Sequence, residues 1–301
     1  MSLLDDCPQA GSEEPPPTPP TPRTPSTPSR YRARIEYEQT LAEVPIGVVV
    51  PFDFALDWEY WRYLPAGVGL HFTRTPHLRR DSGMSLARAV GRPNVAGRAA
   101  RSLLAVKPAA VLYACTSGSF VGGVAGEAAL RAAMRAAGCH EAVTSSGAAV
   151  AAMQAVGAHR VAVATPYSST LTRHLVTYLD ESGFEVVSAD YLGLHRGIAN
   201  VSQQTIIDLV RKAGSSGADA VFVSCTSMRT YGTVARLEGE LGIPVFTSNQ
   251  VSLWAVLVAA GVLPRPADAP DPAWVLGGGD PMARSTRLLM EATAAGAAAA
   301  G

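Results

Sequence analysis

From about residue 44 onward, the chain alternates short runs of β-branched and other apolar residues with longer stretches whose apolar positions recur three and four apart. Residues 46–50, 69–73, 110–114, 160–164, 185–189, 220–224 and 244–247 read as strands bounded by turn-forming residues. Between them, stretches such as 127–137, 170–182, 203–213 and 234–241 read as helices. Strands that alternate with helices in this way argue for parallel sheets covered by helices, the texture of a doubly wound α/β fold.

Comparing this core with itself uncovers an internal repeat. VLYACTSGS from residue 111 resembles VFVSCTSMR from 221, which places Cys115 and Cys225 110 residues apart. VTSSGAAVAAM from 143 resembles FTSNQVSLWAV from 246, and VVVPF ending at Phe52 resembles VAVATPY ending at Tyr167. Three matches in one order imply two pseudo-symmetric lobes, each with a short parallel sheet. The expected first lobe comprises residues 39–146 plus 248–292, and the second 147–247. After Val262 the chain is expected to return to the first lobe with a short strand at 274–276 and a helix at 281–292. Residues 1–38 form a proline-rich segment that cannot bury enough apolar surface to offset the entropy of ordering it, and residues 293–301 read as an alanine-rich tail.

In lobes of this kind ligands bind beyond the carboxyl ends of the strands, so the residues that end the strands are the ones to inspect for chemistry. Cys115 and Cys225 each follow a strand and precede Thr-Ser, where the next helix is expected to begin. A thiol at a helix N-terminus meets free N–H groups and the positive end of the dipole, which lower its pKa and let it take or give a proton near neutral pH. Thr116, Ser117, Gly118 and Ser119 beside one cysteine, and Thr226 and Ser227 beside the other, offer hydroxyls and amides for a carboxylate or an enediolate oxyanion. A single cysteine at a strand end is more often a small buried hydrophobe. Two at equivalent positions of a repeat place an acid and a base on opposite sides of one substrate, as proton exchange at carbon requires.

Composition narrows the partners. With 25 Lys+Arg against 25 Asp+Glu the formal net charge is +0, so no long-range field collects nucleic acid or an anionic membrane. The longest uncharged apolar segment, 253–262, is too short to span a bilayer. Four cysteines make no disulfide framework, and the N-terminus lacks the basic start and apolar stretch of a secretory signal, which together predict a cytoplasmic protein with reduced thiols. The six histidines show no ligand spacing with one another or with cysteine, so no metal site is expected. The glycine-rich run 118–126 lacks the Lys-Ser/Thr of a phosphate loop and reads instead as close backbone packing near Cys115. Arg74 and His77, just past a strand end, could reach a substrate carboxylate or sit in solvent.

The motifs IGVVVP at 46–51, RTP at 74–76, ACTSGS at 114–119, GAHRVAVATPY at 157–167, SCTS at 224–227 and GIPVFTSNQVSLWAVL at 242–257 together resemble the aspartate/glutamate racemase superfamily, in its maleate cis-trans isomerase and arylmalonate decarboxylase branch. ACTSG followed by SCT is most similar to the ectoine-utilisation protein of that branch. The resemblance spans roughly residues 44 to 263. It implies a cofactor-independent isomerase or racemase of a small carboxylic acid, with Cys115 and Cys225 as the acid/base pair or as nucleophile and proton donor; the alternatives are an arylmalonate-type decarboxylase that uses Cys225 alone and a non-catalytic small-molecule-binding protein of the same fold. It implies Thr116, Ser117, Tyr167 and Thr226 as the cradle of a substrate carboxylate, and pairing into a homo-oligomer. By analogy with the maleate isomerases, Cys115 would be the nucleophile and Cys225 the donor. Arylmalonate decarboxylases have glycine at the first cysteine position, so Cys115 argues against simple decarboxylation. The maleate enzymes follow their first strand with Pro-x-x-Asn, whereas this chain has Pro51, Phe52, Asp53 and Phe54. That departure argues against maleate itself, and Phe52, Phe54 and Trp58 point to a bulkier or less charged substrate.

Overall fold

The computed structural model describes residues 44–78, 83–263 and 283–300. Its first sheet contains β1 (Val44–Val50), β2 (Val68–Arg74), β3 (Ala110–Tyr113) and β4 (Ala142–Thr144), in the spatial order β2-β1-β3-β4. The second contains β5 (Arg160–Thr165), β6 (Glu185–Tyr191), β7 (Ala220–Val223) and β8 (Val245–Thr247), in the order β6-β5-β7-β8. Every neighbouring pair is parallel. The two sheets share one permutation, so the sequence repeat is a repeat of topology. It extends to single hydrogen bonds: Ala114 N–H donates to the Val49 carbonyl at 2.8 Å, and Ser224 N–H to the Ala164 carbonyl at 2.9 Å.

The helices are α1 (Asp57–Arg62), α2 (Gly83–Val90), α3 (Pro93–Arg101), α4 (Thr116–Phe120), α5 (Gly123–Ala136), α6 (Ser145–Ala155), α7 (Ser169–Glu181), α8 (Gln203–Gly214), α9 (Val234–Leu241), α10 (Ser248–Ala259) and α11 (Arg284–Ala300). Side-chain caps set several of their starts. Thr144 accepts from Gly147 N–H at the head of α6, and Thr247 makes a reciprocal capping box with Gln250 at the head of α10. These are equivalent positions of the repeat, and each ends a strand as its last residue.

One continuous core joins the sheets. Ile46, Val48 and Leu112 of the first and Val161, Val163 and Phe222 of the second lie in the same buried cluster, with Val251, Leu253 and Leu257 of α10 between them. α10 is buried on nearly every side, which explains why it reads as an apolar run and not as an amphipathic stripe. It packs against α6, where Ser252 donates to Ser145 at 2.8 Å.

The expected strands form, with ends shifted by one or two residues. β4 was not expected: three residues are too few to show a period, although the match between VTSS and FTSN marks its counterpart β8. The C-terminal helix begins at Arg284 and continues to Ala300, so most of the stretch read as an alanine-rich tail is helical, in keeping with alanine's helix propensity. The proline-rich segment 1–38 and the expected strand at 274–276 lie outside the described residues.

Candidate active site

In each sheet the chain leaves the central pair of strands in opposite directions: β1 leads outward to β2 while β3 leads to β4, and β5 and β7 repeat the arrangement. A crevice opens beyond the carboxyl ends at such a switch point. Cys115 follows β3 and Cys225 follows β7, each two residues past its strand's last residue. Both thiols line one cavity of about 210 Å³, together with Pro51, Asp53, Thr116, Ser117, Tyr167, Thr226, Ser227 and the loop 194–199. The fold thus brings both cysteines together with Thr116, Ser117, Tyr167, Thr226 and Ser227 to one cavity, while Gly118 and Ser119 lie behind its wall.

The hydroxyls near the thiols are largely engaged within the protein. Thr116 donates to Ser248 at 2.9 Å, and Thr226 donates to the Ala114 carbonyl at 3.4 Å, so each threonine reaches from its own half of the repeat into the other. Both are almost fully buried. Ser248 also accepts the Cys225 backbone N–H at 3.0 Å. Ser117 lies 3.9 Å from the Cys115 sulfur, and Ser227 N–H donates to the Cys225 sulfur at 3.4 Å. Tyr167 accepts from Ser224 at 3.4 Å and faces the Cys225 thiol; Tyr113 faces the Cys115 thiol and donates to the Val90 carbonyl at 2.9 Å. Each cysteine therefore has a buried tyrosine beside it.

The thiols are not lowered in pKa as a helix N-terminus would predict. Burial raises Cys115 from its ordinary 9.0 to about 11, against the opposing Gly118 N–H, and Asp53 adds to the rise. Burial raises Cys225 to about 12, opposed by the Ser227 N–H and Tyr167, with Cys115 and Asp53 adding to the rise. The physical reason lies in the local structure. α4 is a five-residue helix, and Cys225 is followed by a turn, with α9 starting only at Val234. Desolvation outweighs what these short elements supply, and burial keeps both thiols protonated at neutral pH.

Backbone geometry separates the two cysteines. Cys115 has an extended φ of −143°, whereas Cys225 has a φ of 130°, a region that side chains with a Cβ rarely occupy. Such a conformation persists when its surroundings over-determine it, and here Ser248 holds the N–H while Ser227 meets the sulfur. Gly118 shows why the first glycine of the run is needed: a Cβ there would lie 2.6 Å from the Tyr113 hydroxyl and 3.1 Å from the Cys115 sulfur.

Other candidates fall elsewhere. Arg74 donates to the carbonyls of Pro51, Phe52 and Phe54, at 3.5, 3.3 and 2.8 Å, and so clamps the loop after β1. His77 packs edge-on against Phe52, with ring centroids 4.8 Å apart. Phe52, Phe54 and Trp58 do not line the cavity, so they give no support to a bulkier substrate: Phe54 is in the core, and Trp58 lies on the surface beside Arg62 and Tyr231. Among the described residues no cluster of three or more His, Cys, Asp or Glu side chains is placed to hold a metal ion. None of their helices is long and apolar enough to cross a membrane. Sequence reasoning did not pick out Asp53, His195 and Arg196 as site residues. They line the cavity because their loops close over the strand ends, and no motif marks them.

Residues 90–270 match the model of a protein family described as arylmalonate decarboxylase. The arylmalonate decarboxylase of Bordetella bronchiseptica is 32% identical over 166 residues, covering 54% of this chain and 69% of that protein. The maleate isomerase of Pseudomonas putida is 30% identical over 125 residues, 40% of this chain, and the match spans only half of that protein's length. Among solved structures, a maleate cis-trans isomerase from Nocardia farcinica, in a cysteine-to-serine form with a covalently bound succinylcysteine intermediate, superposes with a TM-score of 0.62 at 25% identity over 72% of this chain and 92% of that one.

Proposed function

The chain belongs to the arylmalonate decarboxylase family, and from that premise we propose that it is an isomerase or racemase of a small carboxylic acid, with Cys115 and Cys225 acting on one substrate from opposite sides and no cofactor. The observation that supports this reading is the placement of two thiols, at matching positions of a duplicated sheet, on the wall of one cavity. In the racemase form, the thiolate of one cysteine takes the proton from the carbon next to the carboxylate, leaving an enediolate and a thiol. The other thiol then delivers its proton to the opposite face and becomes the thiolate. In the cis-trans form, a thiolate adds to one alkene carbon while the opposite thiol protonates its neighbour. Rotation about the new single bond and reversal of both steps release the isomer. The N–H groups of Gly118 and Ser227 face the sulfurs and stabilise whichever thiolate forms.

A second reading, decarboxylation with Cys225 alone as proton donor, draws support from the Bordetella relative and from a Cys225 thiol pushed up to about 12, which keeps its proton until a carbanion needs it. One experiment separates the two. The protein and its Cys115→Ala and Cys225→Ala variants are incubated in deuterated water with maleate, citraconate, arylmalonates, aspartate, glutamate, hydantoins and ectoine-derived amino acids, and proton spectra are followed. Two-cysteine chemistry predicts deuterium next to the carboxylate, or a cis-to-trans change, lost in both variants. Loss only in Cys225→Ala, with carbon dioxide released, favours the decarboxylase. Binding without conversion of any compound sinks both.

A further inference from the structure

The heads of α6 and α10 support the segments that follow the two cysteines, and they do so by different means. Ser146 on α6 and Asn249 on α10 hold equivalent places in the repeat, as the last residues of VTSS and FTSN. Ser146 holds the segment after Cys115 directly: its hydroxyl donates to the Thr116 carbonyl at 3.0 Å and shares a 2.6 Å hydrogen bond with the Ser119 hydroxyl. Asn249 instead donates its amide to Glu59 of α1 at 2.6 Å, and its side-chain oxygen has no partner among the described residues. Glu59 carries the connection onward by accepting the Tyr231 N–H at 3.1 Å, from the loop 226–233 that joins Cys225 to α9. Where the first half uses one hydroxyl, the second uses a carboxylate brought in from the other sheet's half of the chain.

α1 meets that loop at several points. The Tyr231 ring lies against Trp58 and Tyr63, with centroids 6.3 and 5.3 Å apart, and the Arg62 guanidinium sits 5.1 Å from its centre. The loop's ties on its other side, Arg229 to the Val201 carbonyl and Gln203 to the Tyr231 carbonyl, lie nearer the surface. Glu59 is the fully buried contact of the set, and a carboxylate removed from water holds fast to the donors that compensate it. Those donors stand on both sides of Cys225 in the fold. Asn249 adjoins Ser248, which accepts the Cys225 N–H, and Tyr231 belongs to the loop that leaves Cys225. The φ of 130° at Cys225 needs such enclosure, whereas the extended Cys115 does not. We propose, resting on the reading of Cys225 as an acting thiol, that Glu59 is a positioning residue for Cys225 alone: it holds the loop that sets this sulfur's place in the cavity and keeps water from it. Without that grip Cys225 relaxes from its rare conformation, water reaches the sulfur, and the thiol returns from about 12 toward its ordinary 9.0. Cys115, supported through Ser146, is unaffected.

The test reads each thiol separately. The full-length native chain, Glu59→Gln and Glu59→Ala are alkylated with iodoacetamide at about pH 8, and Cys115, Cys139 and Cys225 are followed by mass spectrometry. Cys139 is buried away from the cavity and reports general loosening. In Glu59→Ala, Cys225 is expected to react about tenfold faster, the rise that a return of one unit toward 9.0 gives, while the other two thiols stay within about twofold of their native rates. Glu59→Gln still offers the Tyr231 N–H an acceptor and should raise Cys225 by about threefold, so it carries the test if the alanine variant does not fold. No preferential rise at Cys225 in either variant, or an equal rise of all three thiols, overturns the assignment. Deuterium uptake into the acids named above is followed in parallel, and turnover should fall from native to Gln to Ala with KM held. Unchanged turnover in a variant whose Cys225 has accelerated overturns the assignment too. Selective acceleration of Cys225, with no acid exchanged even by the native chain, upholds Glu59 and sinks the two-cysteine chemistry instead.

Discussion

The backbone N–H of Cys225 and the hydroxyl of Thr116, one from each half of the repeat, converge on the Ser248 oxygen at 3.0 and 2.9 Å. Ser248 is fully enclosed and passes its own proton toward the Val223 carbonyl at 3.4 Å. Ser248→Ala removes the acceptor of a buried N–H and of a buried hydroxyl together. A destabilisation of about 1–3 kcal/mol is expected by chemical denaturation. Because Cys225 loses the bond that holds its φ of 130°, turnover should fall more than substrate binding does. A fall in binding with unchanged turnover would remove Ser248 from any role in setting that thiol.

Gly118→Ala tests the close approach around the other cysteine. The new Cβ has no room beside the Tyr113 hydroxyl, which is itself tied to Val90, so the Cys115 sulfur or the head of α4 shifts. Overpacking of this kind costs about 1–3 kcal/mol. Alkylation of Cys115, followed by mass spectrometry, is expected to change in rate by at least severalfold while Cys225 keeps its native rate.

The thiols also set a pH dependence whose sign follows from their displacement upward. Each is a neutral acid whose folded pKa, about 11 for Cys115 and about 12 for Cys225, stands above the ordinary 9.0. The folded chain therefore holds these protons after the unfolded chain has lost them. Their contribution to stability is complete below pH about 9 and declines as pH rises toward 11 and 12. Thermal unfolding is expected to show a loss of stability over that interval that is smaller in the Cys115→Ala and Cys225→Ala double variant. Alkylation of the free protein should climb about tenfold per unit from pH 7 to pH 10.

Glu59 is buried without exposure, accepts from Asn249 at 2.6 Å and from Tyr231 N–H at 3.1 Å, and so fastens α1 to the head of α10 and to the loop that follows Cys225. Burial pushes its carboxyl upward, and these bonds pull it back. Glu59→Ala leaves two buried donors without an acceptor and is expected to cost about 2–4 kcal/mol, with Glu59→Gln intermediate because one of its two polar atoms still accepts. Denaturant midpoints for the pair provide the check, and equal midpoints for Ala and Gln would mean that loss of the carboxylate itself, and not the cavity left behind or the one bond Gln keeps, sets the cost.

What could be read from the chain follows from how local each signal is. The strands that carry the cysteines were legible because a buried apolar run ending in Cys-Thr-Ser occurs twice, and the repeat gave the shared topology of the two sheets. β4 escaped because three residues hold no period. The direction of the thiol shifts escaped for a different reason. Sequence places Cys115 and Cys225 at strand ends, but whether dipole or desolvation prevails depends on helix length and on what closes over the site. α4 proved short, and no helix begins directly after Cys225. The threonine hydroxyls looked available because their partners, Ser248 and Ala114, lie 132 and 112 residues away. Asp53 is one polar residue in a loop, and only the Arg74 clamp makes it part of the wall.

The two crossing threonines are unequal as well: Thr116 ends on the Ser248 hydroxyl, whose counterpart in the repeat is Ser145, whereas Thr226 ends on the backbone carbonyl of Ala114. The repeat is therefore broken at the cavity, and each wall is shaped separately. One cysteine now rests in relaxed backbone beside Tyr113 and the other is held in a rare conformation beside Tyr167, an inequality that identical subunits cannot encode.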